Sequence, residues 1–239
     1  MSKERKNIVV FTGAGISAES GISTFRDKDG LWTKYDAMRL ASVEGFNEDP
    51  EAVLDFYNER RWQLSKVHPN HAHYALAELQ KEYDVTIITQ NVDDLHERAG
   101  STKVVHLHGE LTKVTSSRER EDDRCIKYYP PNLPICIGNK ADDGSQLRPY
   151  IVWFGENVRY LEEAQKLVEK ADIFVVIGTS LVVYPAANLA YCAPDGIPKY
   201  LIDPSEMDER LPLGFKHIKA KATEGVDMLI DELRNITKR

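Results

Sequence analysis

The sequence predicts an α/β fold: a doubly wound parallel sheet carrying a smaller second lobe. Three observations lead there. Short β-branched runs recur that are apolar almost throughout, as strands covered on both faces are. Amphipathic helical patterns lie between several of them. The first run enters a glycine turn, Gly13-Ala14-Gly15, suited to a tight strand-to-helix passage.

Taken in order, Asn7–Thr12 is the first strand. Leu31 to Asn70 reads as helical with no strand, and includes a helix from Pro50 to Ser65. A stripe of Ala72, Ala75, Leu76, Leu79 and Tyr83 marks a helix before the strand Val85–Thr89. Val104–His108 is a third strand. Val114 to Arg148 is polar, rich in Pro, Gly and charge, and shows no regular element. Leu161, Ala164, Val168 and Ala171 line a helix ahead of the strand Ile173–Ile177. Lys199–Asp203 is the last strand, and Val226, Leu229, Ile230, Leu233 and Ile236 line the last helix. Structureless loops as long as the second excursion are uncommon and usually functional. The two excursions are therefore read as one small lobe, built from 34–79 and 114–147, with 1–33, 80–113 and 148–239 forming a Rossmann-like sheet domain. Ligands of open α/β sheets bind beyond the carboxyl ends of the strands, so a cleft between the lobes belongs there.

Composition narrows the function. The chain has 239 residues, 42% hydrophobic and 29% charged, as globular proteins have. A net charge of −7 argues against nucleic acid as a partner. Three cysteines and no CxxC argue against a disulfide scaffold and for a reducing, cytoplasmic setting. The opening MSKERKNIVVFTG lacks the apolar core of a secretory signal. The long uncharged stretch Ile173 to Pro194 is broken by Gly178, Pro185 and Asn188, so no membrane span is expected.

The candidate chemistry sits at strand ends. Gly13-Ala14-Gly15-Ile16-Ser17-Ala18 fits the G-x-G-x-x-A turn, whose glycines admit a pyrophosphate and whose helix start offers N–H groups to it. A bare tight turn has the same sequence. A dehydrogenase would continue into a second strand ending in an acid; here a loop with Phe25 and Arg26 follows instead, and it can fold over a nucleotide. Hydride transfer becomes the lesser reading. The next strands end in Gln90-Asn91-Val92-Asp93, in His106-Leu107-His108-Gly109-Glu110 and in Gly178-Thr179-Ser180. An amide, a carboxylate and an imidazole around one ligand suit acid–base work near neutrality. Taken singly, such residues are as often structural.

The blocks GAGISAESGISTFRD (13–27), TQNVDDLHERAG (89–100), HLHGE (106–110), VWFGE (152–156) and GTSLVVYPAA (178–187), in this order, resemble the signature blocks of the sirtuins, NAD-dependent protein-lysine deacylases. FYNERR (56–61) resembles their bacterial branch. The resemblance implies NAD as co-substrate and acyl-lysine proteins or peptides as partners, and a monomer is expected. It makes His108 the general base and Asn91 the second catalytic residue. It assigns Gly13, Ala14, Gly15, Phe25, Arg26, Gln90, Asn91, Asp93, His108, Gly178, Thr179, Ser180, Asp203 and Ala222 to NAD. Asp203 stands where the family often has an asparagine. Val152, Trp153, Phe154, Gly155 and Glu156 should pair with the substrate backbone as an added strand.

Two further implications follow from the resemblance. Typical sirtuins hold a structural zinc on four cysteines after the HG motif. Here Thr115-Ser116-Ser117 stands near the first pair, and only Cys125 and Cys136 follow, so no zinc is expected. An apolar cluster from Tyr128 to Ile135 is the expected substitute. Val53, Phe56, Tyr57, Arg60 and Leu64 share one helical face. An arginine there needs an anion, and an internal salt bridge supplies one as readily as a ligand does. By resemblance, Ala41, Tyr57 and Arg60 form a pocket for acidic acyl groups such as succinyl and malonyl. A catalytically weak NAD or ADP-ribose binding module and a mono-ADP-ribosyltransferase are the competing readings.

Overall fold

The computed structural model describes residues 5–23, 37–206 and 214–237. Among them, β1 (Asn7–Thr12), β2 (Asp84–Thr89), β3 (Val104–His106), β7 (Ile173–Ile177), β8 (Lys199–Ile202) and β9 (Phe215–Ile218) form one parallel six-stranded sheet, in the order β3-β2-β1-β7-β8-β9. A mixed α/β fold around this sheet is what the sequence predicts. The five predicted strands are all present, and β9 is additional. Its four residues, Phe-Lys-His-Ile, are too short and polar to stand out.

The sheet is covered on both faces. One core joins Ile8, Val10, Val85, Ile87, Val175 and Ile202 to the helices α5 (His71–Leu79) and α8 (Ala222–Thr237). The other joins Val9, Phe11, Phe174, Val176 and Leu201 to the helix α7 (Leu161–Val168) and the 3-10 helix Ala186–Tyr191. Alternate strand residues feed alternate cores, which is why these strands read as continuous apolar runs. The stripe of α5 lies in the first core, so this helix belongs to the large sheet. The division that gave 34–79 to the lobe runs too far, because Ala72, Leu76 and Leu79 bury against Ile8 and Val85 rather than against the lobe.

The lobe has a core of its own, which includes Phe46, Val53, Phe56, Tyr57, Leu111, Cys125, Ile135, Leu147 and Trp153. The helix α4 (Pro50–Leu64) starts at Asp49, whose carboxylate accepts from Ala52 N at 3.1 Å, with proline in its first turn. Facing it is an antiparallel sheet of β4 (Gly109–Ser116), β5 (Lys127–Tyr128) and β6 (Leu147–Ile151), in the order β5-β4-β6. The segment read from sequence as lacking regular structure is thus framed by strands. Its buried polar residues concealed them: Thr115 Oγ1 donates to Arg120 O at 2.7 Å, and Ser116 Oγ to Asp143 Oδ2 at 2.6 Å. No helix among the described residues is long and apolar enough to cross a membrane.

Candidate active site

Strand order reverses between β1 and β7, the place at the carboxyl ends of the strands where open α/β sheets bind ligands. The two loops touch. Gly13 N donates to Ile177 O at 3.0 Å and Gly15 N to Gly178 O at 2.9 Å. A Cβ on Gly15 would lie 2.6 Å from Gly178 Cα, and Gly178 itself has φ +62°. The glycines therefore permit this close approach. The N–H groups of Gly13 and Gly15 are thus both donated within the protein. The helix that follows, α1 (Gly15–Ala18), is only four residues long.

The loop after β2 carries the polar cluster. Asn91 is buried, and its Nδ2 donates to Gly13 O and to Ser17 Oγ, each at 3.1 Å. Because a carbonyl only accepts, this fixes the amide's orientation and makes Oδ1 the acceptor that Asn91 can present. Ser17 Oγ donates onward to Asp93 Oδ2 at 2.9 Å, and Leu95 N to Asp93 Oδ1 at 3.1 Å. Burial raises the Asp93 pKa against these two bonds and the charge of His106. Below Asn91, its N–H donates to Thr89 Oγ1 at 3.0 Å, and Thr12 Oγ1 to the same oxygen at 2.8 Å. Gln90 Nε2 reaches across to Thr179 Oγ1 at 3.0 Å and ties this loop to the one after β7. Ser180 is the half-buried neighbour of Thr179.

His108 completes the cluster from the end of β3. Its Nδ1 lies 3.1 Å from the carbonyl oxygen of Gln90. That oxygen can only accept, so Nδ1 carries the proton and Nε2 presents a lone pair. Burial pulls the His108 pKa below its ordinary 6.5, with the Gln90 bond opposing. A neutral imidazole with a free Nε2 acceptor is the form a general base needs.

Residues 13–185 match the sequence model of the Sir2 family. The chain belongs to the Sir2 family. A sirtuin relative from Bacteroides thetaiotaomicron, named NAD-dependent protein deacylase, is 56% identical over 225 residues, covering 94% of this chain and 96% of that protein. Among solved structures, a Sir2 homologue mutant in complex with ADP-ribose superposes with TM-score 0.85 at 41% identity, covering 98% of this chain and 94% of the other. A Sir2 protein bound to acetylated peptide superposes with TM-score 0.75 at 32% identity, covering 96% and 94%.

Other residues singled out from sequence fall in varied places in this sirtuin. Phe25 and Arg26 lie outside the described residues. Asp203 closes its own turn, accepting from Ser205 N at 2.9 Å, while its carbonyl faces His217 Nε2 at 2.9 Å. Ala222 begins α8 and is buried in the sheet core. In the segment Val152 to Glu156, Val152 N donates to His108 O at 3.0 Å and Phe154 N to Ala41 O at 2.8 Å. The segment thereby joins the base to the lobe. Phe154 is exposed and Gly155 has φ +89°, but Trp153 is buried. Glu156 is gripped by Arg148 at 2.7 and 3.1 Å and itself accepts from Trp153 N at 2.8 Å. These two side chains shape the segment from within.

Tyr57 is buried, and its hydroxyl accepts from Trp153 Nε1 at 3.1 Å. Burial raises its pKa, so the phenol keeps a proton to donate. Arg60 lies one turn on, nearly buried, with its guanidinium 4.9 Å from the centre of the Phe56 ring and 3.2 Å from Glu59. The neighbouring Arg61 is not anticipated by the sequence pattern. It is completely buried and donates to the carbonyls of Leu111, Tyr129 at 3.0 Å and Pro130 at 2.8 Å. Ser17 is likewise missed. Its position in the glycine turn carries no signal apart from its partner Asp93, far along the chain.

Proposed function

We propose that this sirtuin removes acyl groups from protein lysine at the expense of NAD, yielding free lysine, nicotinamide and O-acyl-ADP-ribose. The observation that carries this reading is His108: a neutral imidazole, proton on Nδ1, lone pair on Nε2, beside the Asn91–Ser17–Asp93 cluster at the crevice of the sheet. The donor set suits NAD. Asn91 Oδ1 and the Asp93 carboxyl offer acceptors to a carboxamide and a ribose, and the touching glycine loops floor the site. When bound, NAD supplies a ribose carbon that the acyl oxygen attacks as nicotinamide departs. His108 Nε2 would then take the proton of a ribose hydroxyl, freeing that oxygen to attack the acyl carbon, and water would complete the reaction as the lysine amine leaves and the acyl group stays on ADP-ribose. Holding the reacting groups together in a dry crevice supplies much of the advantage. In this reading Gln90, Thr179, Ser180, Phe25 and Arg26 also contact NAD, with Asp203 and Ala222 toward its adenosine end. The substrate backbone lies along 152–156, beside the exposed Phe154. The test is loss of acyl mass from an acetyl-lysine peptide: it should require NAD, and loss without NAD would refute the reading.

We further assign an acidic-acyl pocket to Ala41, Tyr57 and Arg60. A phenol that donates and a guanidinium one turn away read a distal carboxylate. Arg60→Met should lower desuccinylation by about a hundredfold while deacetylation falls no more than about threefold. Equal losses, measured on matched peptides, would remove the pocket. The lobe also holds together without zinc in this reading. Arg61 gathers its carbonyls, and Ser116 Oγ joins Asp143 at 2.6 Å and Ser145 at 2.8 Å. Among the described residues, no three His, Cys, Asp or Glu side chains are placed to hold a metal ion. Prolonged chelation should leave the thermal midpoint and deacylation rate unchanged; loss of either, restored by zinc, would refute a metal-free lobe.

A further inference from the structure

His106 precedes His108 by two residues, and its side chain is 6% exposed. Its Nδ1 stands 3.1 Å from the carbonyl oxygen of Asn91, and its Nε2 stands 2.8 Å from Glu97 Oε1. A carbonyl and an ionised carboxylate only accept, so only an imidazolium, protonated on both nitrogens, satisfies both contacts. A neutral ring must turn a lone pair toward one of them. Burial opposes the charge, yet the hydrogen bond and charge of Glu97 prevail and raise the His106 pKa. Glu110 adds negative charge, and Asp93 and His96 are the other titratable groups that feel the ring. His106 ends β3, and His108 lies two residues beyond it. They hold the carbonyls of consecutive residues, Asn91 and Gln90.

We propose that His106, paired with Glu97, is a positioning residue: it anchors the Asn91 carbonyl and so steadies the backbone of the turn after β2, in which the preceding carbonyl, that of Gln90, sets the proton position on the base His108. Its kinetic consequence rests on the deacylase reading above. Release of the anchor loosens the backbone at Asn91, leaves the Gln90 carbonyl steadied by the Asn91 N–H bond to Thr89, and weakens the contact that selects the His108 tautomer. The Glu97 side chain acts only through the ring, since it meets Nε2 on the side away from Asn91.

Two variants and two readouts test this. His106→Leu has no donor. His106→Asn keeps an amide that can donate to the Asn91 carbonyl. The Leu variant should lose about tenfold to a hundredfold in kcat, with the Kd for NAD within about threefold of wild type. The Asn variant should recover most of the loss. Nitrogen NMR of the imidazoles at neutral pH should find both His106 nitrogens protonated in the wild type and His108 protonated at Nδ1. The His108 tautomer should become mixed in the Leu variant and return in the Asn variant. A wild-type kcat and an unchanged His108 tautomer in the Leu variant would overturn the proposal. So would equal losses in both variants that track a lowered thermal midpoint, the mark of a merely structural residue. Failure of the wild type to free any lysine would sink the deacylase reading alone. The tautomer measurement needs no turnover and still decides the role of His106.

Discussion

Replacing His108 by alanine should lower deacylation by about a hundredfold to ten-thousandfold, while the Kd for NAD stays within about threefold. In the proposed reading the ring serves proton transfer rather than the fold: among the described residues it makes one bond, to the Gln90 carbonyl, and it lies partly open. Its removal leaves Asn91 in place, because that amide is held by Gly13 and Ser17. The pH dependence has a definite sign. Burial lowers the His108 pKa, so the neutral, basic form predominates near neutrality and persists to lower pH than in a free histidine. The wild-type rate should be flat around pH 7 and fall only as pH drops through that lowered pKa. The alanine variant should lack this acid limb. A variant as active as wild type, or an acid limb that survives the substitution, would exclude His108 as the base.

Replacing Arg61 by methionine should destabilise the protein by roughly 3–5 kcal/mol. The guanidinium is fully buried, and burial draws its pKa down only to about 10, so it remains charged at neutral pH. It donates to the carbonyls of Leu111, Tyr129 and Pro130 and reaches that of Leu133 at 3.4 Å. It also lies 5.1 Å from the centre of the Tyr129 ring. Methionine fills similar space but leaves several buried acceptors without donors, each costing about 1–3 kcal/mol. Arg61→Lys should rescue little, because one ammonium cannot serve carbonyls spread over a planar fork. Denaturant unfolding measures the total, and hydrogen exchange should find the loss concentrated around Lys127–Ile135. A change below about 0.5 kcal/mol would show that this cluster does not hold the lobe together.

The large sheet is legible in the sequence because its strands are buried on both faces. Ile8 through Phe11 and Ile173 through Ile177 are apolar in every position, as strands sandwiched between two layers of helices must be. The candidate site is legible where it depends on strand ends, since the loops there bring together Gln90, Asn91, Asp93 and His108. The lobe is not. Its strands bury Thr115, Ser116 and Arg148, which look like solvated residues until the folded lobe brings them their partners, the Arg120 carbonyl, Asp143 and Glu156. Arg60 and Arg61 illustrate the same limit. Both flank Tyr57 at about 100° per residue, and the periodicity does not say which guanidinium goes inside. The carbonyls of Tyr129 and Pro130 decide it, and tertiary folding alone brings them to the helix. His106 carries no comparable signal because its meaning lies in Glu97, on the helix α6 (Leu95–Arg98).

The most direct test of the deacylase reading is a stoichiometry. Purified protein would be incubated with NAD and an acetyl-lysine peptide, and nicotinamide and deacylated peptide counted in the same sample. The reaction proposed here frees one lysine for each nicotinamide released, with neither product formed when peptide or NAD is left out. Nicotinamide without freed lysine, with ADP-ribose appearing on protein, would contradict the deacylase reading and establish the chain as a transferase.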